Sequence, residues 1–221
     1  KLVQLFNTSI DMKLFYKRRY RHINAYYIIC RIKQIIYQII NPDSPWLCSR
    51  AVEVIEQLLK TDDLVLEFGA GKSTKWFAKR CRYIYSIEHD FNWFKKVCKN
   101  ITGFDNVKLI YAKINEEEPA ASDYLMAFDN ISAEKFNVIL NDGRLRDLVF
   151  LTSVDKLEDG GIYILDNAER YFPNRFDLPE SIGDSSQNMS ERWKVIYKRI
   201  ENWRKLWFDD GVTSTLILFK P

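Results

Sequence analysis

The 221-residue chain is short of the residues that break or cross-link a polypeptide: it has 8 glycines, 6 prolines and 4 cysteines. So little glycine and proline excludes collagenous and low-complexity chains, and 47% hydrophobic side chains exclude a disordered one. The cysteines (Cys30, Cys48, Cys81, Cys98) are far apart and form no Cys-x-x-Cys pair. Neither a zinc knuckle nor a disulfide framework is expected, and the thiols read as reduced ones in a cytoplasmic protein. Long apolar runs are also missing. The most apolar stretch, His22 to Ile40, is interrupted by Arg31, Lys33 and two glutamines, which are too costly inside a bilayer. It has no small-residue cleavage site of a signal peptide. There are no internal repeats.

What is present is a charge asymmetry hidden by a net charge of +3. Residues 1–40 carry eight cations and one anion (Asp11), whereas the remaining 181 residues carry 25 cations and 29 anions. A basic leader of +7 therefore precedes a mildly acidic body of −4. The length suits one domain with a large core plus an appendage. The boundary falls at Asn41-Pro-Asp-Ser-Pro45, where two prolines stop a helix. This divides the chain into a helical extension, 1–45, and a main domain, 46–221.

In the main domain, Trp46 to Lys60 has helical apolar spacing. Beyond it, short apolar runs alternate with helix-like stretches. Strands are expected at Leu64–Phe68, Tyr83–Glu88, Val107–Tyr111, Phe136–Asn141 and Gly161–Asp166. Helices are expected after the first strand through Lys79, at Phe91–Asn100, at Ser122–Asn130 and at Asp147–Leu157. Such alternation implies parallel pairing with right-handed crossovers, a doubly wound Rossmann-like α/β sheet with helices on both faces. The chain's end differs. Trp203–Phe208 and Thr215–Lys220, joined through Asp209-Asp-Gly211, read as an antiparallel hairpin at the sheet edge.

Sites in such folds lie at the carboxyl ends of the strands. The first strand runs into Glu67-Phe-Gly-Ala-Gly-Lys-Ser-Thr74. A phosphate loop needs a glycine five positions before Gly71, where Leu66 stands, and the third glycine of the dinucleotide fingerprint is replaced by Thr74. There remain a strand-end carboxylate, two glycines (Gly69, Gly71) that let a ligand approach backbone, and a helix start. The second strand ends in Glu88, a carboxylate spaced to accept from ribose hydroxyls. The pair suits an adenosine-type ligand with no pyrophosphate.

These residues resemble the cofactor half of the class I S-adenosylmethionine-dependent methyltransferases. The resemblance is carried by Glu67-x-Gly-x-Gly with Ser73-Thr, by Ile87-Glu-His89 and by the last strand Ser214–Phe219. More narrowly, Asn141-Asp-Gly-Arg-x-Arg146 and Gly160-Gly-x-x-x-Leu-Asp-Asn167 are similar to bacterial methyltransferases of glycan and secondary-metabolite pathways. The resemblance implies that Gly69 and Gly71 flank the methionine portion of S-adenosylmethionine, with Glu67 at its amino group and Ser73 at its carboxylate. Glu88 would take the ribose, and His89 would sit beside the adenine or be merely solvated.

The spacing of Asp142, Asp166 and Asn167 further resembles the metal triad of catechol and caffeoyl-coenzyme A O-methyltransferases, which implies Mg²⁺ or another divalent cation such as Ca²⁺. There the ion lowers the pKa of the acceptor hydroxyl. Two alternatives stand beside it: Asp142 bonding the cofactor ammonium, and Asp166-Asn167 capping the segment that follows. Those families place a basic lysine three positions after the first Asp, and Leu145 stands there. Asp142 is then the candidate general base, with Arg144 and Arg146 as candidate clamps for an anionic acceptor. Asn167 to Ser190 is long and irregular enough to be a lid, with Tyr171, Phe172 and Arg175 as acceptor contacts or as packing.

The expected activity is methyl transfer to a hydroxyl of a small molecule or glycan, with or without a divalent metal. The alternatives are an RNA or protein methyltransferase docking through the leader, and a catalytically silent adenosine-ligand scaffold. Planar-amine methylation commonly uses an Asn/Asp-Pro-Pro-Tyr run after the fourth strand, which Asn141-Asp-Gly-Arg lacks. The leader, with its apolar stripe from Ile23 to Ile40 and its cations at Lys17–Arg21, has three uses. It could pack on the body as a cap or homodimer contact, bind an anionic membrane surface, or bind nucleic acid. Nucleic acid is least favoured, because the −4 body continues no basic track.

Overall fold

In the computed structural model, seven strands form one sheet in the order β3-β2-β1-β4-β5-β7-β6. The structure describes residues 24–221 apart from Asn130 and Ser132; the leader's cation cluster at Lys17–Arg21 lies outside them. Strands β1 (Leu64–Phe68), β2 (Tyr83–Glu88), β3 (Val107–Tyr111), β4 (Phe136–Asn141) and β5 (Leu157–Asp166) run parallel. β7 (Ser214–Phe219) inserts antiparallel between β5 and β6 (Arg204–Asp209). The order reverses between β1 and β4, so the loops after these two strands diverge and leave a crevice at their carboxyl ends.

Alternation along each strand builds two cores. Leu66, Phe68, Ile139 and Leu165 face one apolar layer; Val65, Ile84, Leu140 and Ile164 face the other. The second layer is closed by helices α2 (Ser49–Leu58) and α3 (Lys72–Ala78) through Ile55, Trp76 and Phe77. The first is closed by α5 (Asp123–Met126), α6 (Arg146–Ser153) and α7 (Glu191–Arg199) through Tyr124, Phe150 and Trp193. Helix α4 (Phe91–Asn100) starts at Asp90, whose carboxylate accepts from Trp93 N–H at 2.8 Å.

The helix Glu191–Arg199 was not expected from the sequence; the other differences from the sequence reading lie at element ends. The helix expected at Ser122–Asn130 is one turn, Asp123–Met126, after a 3₁₀ turn at Pro119–Ala121. The helix expected to run to Leu157 stops at Ser153, continues as a 3₁₀ turn through Lys156, and Leu157 already belongs to β5. Leu157 pairs with Phe136 across a bulge, and Leu157 is fully buried, which extends β5 back past Gly160-Gly161. Near the other end, α2 begins only at Ser49, after a loop in which Leu47 and Cys48 are buried and Trp46 is exposed.

Helix α1 (Ala25–Ile40) precedes the double-proline turn. Asn24 caps it by accepting from Tyr27 N–H at 2.8 Å. It lies on the hairpin β6–β7 and the turn after it. Cys30 packs on Gly211, Gln34 donates to Asp210 at 3.1 Å, and Tyr37 meets Ser44 at 3.2 Å. Asp43 in that turn is bonded by Lys75 of α3 and by Lys79 just after it, which holds its carboxyl down to about 2.

Candidate active site

Glu67, one residue before the end of β1, has no solvent exposure. Parallel register sets it beside Ser86 on β2, and α3 brings Thr74 to it. Its Oε2 accepts from Thr74 Oγ1 at 2.5 Å and from Ser86 Oγ. Burial lifts the carboxyl to about 7, although the hydroxyls of Ser73, Ser86 and Thr74 oppose the rise. Its other oxygen, Oε1, is buried with no partner among the described residues. An acceptor left open in the interior costs about 1–3 kcal/mol.

The glycines after β1 have separate tasks. Gly69 has φ +94°, and a Cβ there would lie 2.8 Å from the backbone of Asp142 and Gly143. A Cβ on Gly143 would come within 2.0 Å of Tyr124 Oη. The two loops therefore meet backbone to backbone, as also seen in the bond from Asp142 N–H to Phe68 O at 3.0 Å. Gly71 is different. A Cβ there would meet nothing nearer than Ser73 Oγ at 3.9 Å, so its surroundings are open.

That open space is a cleft of about 460 Å³ between the ends of β1, β2 and β4, bordered by Gly69–Ser73, Glu88–Asp90 and Asp142–Arg144. Glu88 is nearly buried, and its Oε1 accepts from the N–H groups of His89 (2.8 Å) and Asp90 (2.7 Å). His89 Nδ1 sits 2.9 Å from the same oxygen, and its ring meets Tyr124 edge-on at 5.7 Å. Five residues expected at a cofactor, Gly69, Gly71, Ser73, Glu88 and His89, line this cleft together with Asp142. Glu67 lies beneath it, joined to its floor through Thr74, which also accepts from Gly71 N–H at 2.9 Å.

Two cleft residues carried no sequence signal. Trp46 and Trp93 stand 6.3 Å apart at its rim; Trp93 Nε1 donates to Ala70 O at 2.7 Å, and the Lys72 ammonium lies 5.6 Å from the Trp46 ring. Trp46 belongs to a loop and Trp93 to a helix, so no single period joins them.

Asp142, Asp166 and Asn167 do converge, and a side chain of the same molecule occupies the middle. Arg146, 9% exposed, donates through Nη2 to Asp142 Oδ1 at 2.7 Å and through Nη1 to Asn167 Oδ1 at 2.9 Å. Asp166 is held by Thr215 Oγ1 at 2.8 Å and Asn167 Nδ2 by Thr213 Oγ1 at 2.5 Å. Burial raises the Asp142 carboxyl well above its usual range, and the neighbouring Asp166 raises it further. Asp166 is raised as well, by burial, against the pull of Arg146. The donors expected to face a divalent ion thus face a guanidinium, an arrangement that does not fit the ion as it stands. Among the described residues no three His, Cys, Asp or Glu side chains form a metal-binding group.

Both strained non-glycine residues border this cluster. Leu145 (φ +53°) and Asn167 (φ +52°) are left-handed, the only such non-glycine residues among those described. Leu145, at the position of the lysine base in the families resembled, packs on the core. The two arginines have different surroundings: Arg144 is exposed at the cleft, whereas Arg146 is buried in the cluster and not presented as an acceptor clamp. Of the loop residues, Phe172 is 1% exposed in the core, so it is not an acceptor contact. Tyr171 stacks on Trp193 at 4.4 Å, and Arg175 is exposed. The loop is pinned by Asn174, which donates to Glu169 O and Phe172 O and accepts from Ser181.

No model of a known protein family and no curated protein matches this sequence. Solved structures do. An O-methyltransferase from Bacillus cereus, solved in complex with SAH, is 16% identical over 89% of this chain and 91% of its own, with a TM-score of 0.57. A Staphylococcus aureus protein described as a candidate caffeoyl-CoA O-methyltransferase is 18% identical over 98% of this chain and 100% of its own, at 0.57. An rRNA methylase from Streptococcus thermophilus is 11% identical over 76% and 92%, at 0.51. The chain has the fold of the S-adenosylmethionine-dependent methyltransferases, a Rossmann-like, mostly parallel sheet with antiparallel carboxyl-terminal strands.

Proposed function

We propose that the protein is an S-adenosylmethionine-dependent methyltransferase acting on a hydroxyl oxygen. The observation that carries the reading is the unpartnered, buried Glu67 Oε1 beside a cleft whose rim holds Gly71, Glu88 and His89. A ligand with a cationic amino group and a ribose diol complements that set: Glu67 takes the ammonium, Glu88 the diol, and the Gly69–Gly71 backbone lets the ligand close in. Trp46 and Trp93 add aromatic surface at the rim. The bound cofactor supplies a methyl carbon on a sulfonium.

The chain's own residues position and deprotonate the acceptor. Asp142 is the member of the Asp142–Asp166 pair that lines the cleft, which makes it the carboxyl group placed to meet an acceptor hydroxyl. Arg146 fixes the orientation of Asp142 and supplies, from within the chain, the positive charge that a divalent ion would otherwise bring. Exposed Arg144 is the group left to meet an anionic acceptor. A small-molecule or glycan acceptor is supported by the likeness in fold to O-methyltransferases and by the absence of the planar-amine motif. Calorimetry with S-adenosylmethionine and S-adenosylhomocysteine tests the reading, and no heat with either sinks it. Transfer of labelled methyl to RNA, but not to catechol-like or sugar hydroxyls, would overturn the acceptor class.

A further inference from the structure

Helix α1 presents the wrong face to the protein. An amphipathic surface helix normally turns its apolar stripe to the core. Here the contacts with the body come from Tyr26, Cys30, Gln34 and Tyr37, and every isoleucine of the helix, from Ile28 to Ile40, is between 45% and 71% exposed. At about 100° per residue these seven isoleucines form one continuous face roughly 140° wide. Lys33 falls at one border of that face and Arg31 near the other. The helix has no acidic residue, and the sequence before it adds Lys13, Lys17, Arg18, Arg19 and Arg21. At 16 residues the helix is too short to cross a bilayer, and none of the described helices is long and apolar enough to do so.

We propose that α1 is a docking helix that lays its isoleucine face into an anionic lipid surface, with Arg31 and Lys33 reaching the headgroups. The width of the face exceeds the narrow seam of a helix pair, and it fits burial in the plane of an interface. The charge argues the same way. A second copy docked through this self-complementary face would bring Arg31 and Lys33 against their own counterparts, with no carboxylate on either helix to offset them. A negatively charged bilayer complements both the apolar face and its cationic borders. The polar fixings at Gln34–Asp210 and Tyr37–Ser44 and the packing of Cys30 on Gly211 hold the helix to the body, so the lipid would meet an element already oriented.

The test is co-sedimentation of the full chain with vesicles of equal parts phosphatidylglycerol and phosphatidylcholine, and with phosphatidylcholine alone. The expected result is binding to the anionic vesicles that weakens with added salt, and weak binding to the neutral ones. The double variant Ile32→Asp/Ile36→Asp changes only exposed side chains, so its melting temperature should stay unchanged while vesicle affinity falls on the order of a hundredfold. Lys33→Glu should lower affinity several-fold. Wild-type protein that ignores anionic vesicles at low salt overturns the proposal. So does equal binding by the double variant, which would assign the affinity to the basic leader alone. A dimer in light scattering that the double variant abolishes, without vesicle binding by the wild type, would give the face to a second copy instead.

Discussion

Arg146 donates to Asp142 at 2.7 Å, four residues back along the chain, and in doing so puts a guanidinium among the three side chains whose spacing resembles a metal triad. The pair is mostly buried, Arg146 at 9% and Asp142 at 25% exposure, so removing one partner strands the other. Arg146→Ala should therefore lower stability by about 3 kcal/mol in urea denaturation. Wild-type protein should show no thermal shift with Mg²⁺, Ca²⁺ or Mn²⁺. A shift in wild type that disappears in Asp166→Ala would restore the metal reading.

The glycines of the site separate stability from binding. Gly69→Ala places a methyl 2.8 Å from backbone atoms at a left-handed φ, and Gly143→Ala drives one into Tyr124, so each should destabilise by at least about 2 kcal/mol. Gly71 has extended φ (−176°) and open space, so Gly71→Ala should melt like wild type yet bind S-adenosylhomocysteine at least about tenfold more weakly. Equal loss of stability in all three variants would show that Gly71 is only a turn.

Much of this was legible in the sequence, for identifiable reasons. The parallel strands are buried on both faces, so each reads as an apolar run, and the run closes on a polar residue: Glu88, Asn141 and Asp166 end their strands and Glu67 stands one residue before the end of β1. Asp142, Asp166 and Asn167 were legible as a group because parallel register stacks neighbouring strand ends. That Arg146 turns inward was not legible, since it depends on the left-handed backbone of Leu145, which no local propensity favours. Likewise the isoleucine stripe of α1 was visible as a period, but a period says only that residues share a side. Which side meets the body is decided by Cys30 against Gly211, 181 positions away.

Buried carboxyls also set the pH response of the folded chain. Burial raises Glu169, which accepts from Ser214 Oγ at 2.6 Å, from its ordinary 4.5 to about 7. A raised carboxyl holds its proton in the folded state after the unfolded chain has released it. Its contribution is thus full below the unfolded value and is lost as pH rises through about 7. Glu169→Gln, which keeps the shape and an acceptor oxygen, should flatten the fall in unfolding free energy between about pH 4.5 and 7, by an amount on the order of 3 kcal/mol. An unchanged pH slope in this variant would mean that Glu169 is ionised in the folded protein.

Glu67 carries the same sign in the free protein and the opposite consequence for ligand binding. With its carboxyl raised to about 7, a good part of the free protein holds Glu67 protonated near neutrality. A cationic amino group at Oε1 favours the carboxylate, so binding must expel that proton. Affinity for S-adenosylhomocysteine should therefore climb as pH rises toward about 7, by up to about tenfold per unit well below it, and level off above. Calorimetry in buffers of different ionisation enthalpy should register the released proton directly. Glu67→Gln should bind weakly at every pH and release none, because an amide cannot take on the charge. PH-independent affinity in the wild type across this window would remove Glu67 from the ammonium site.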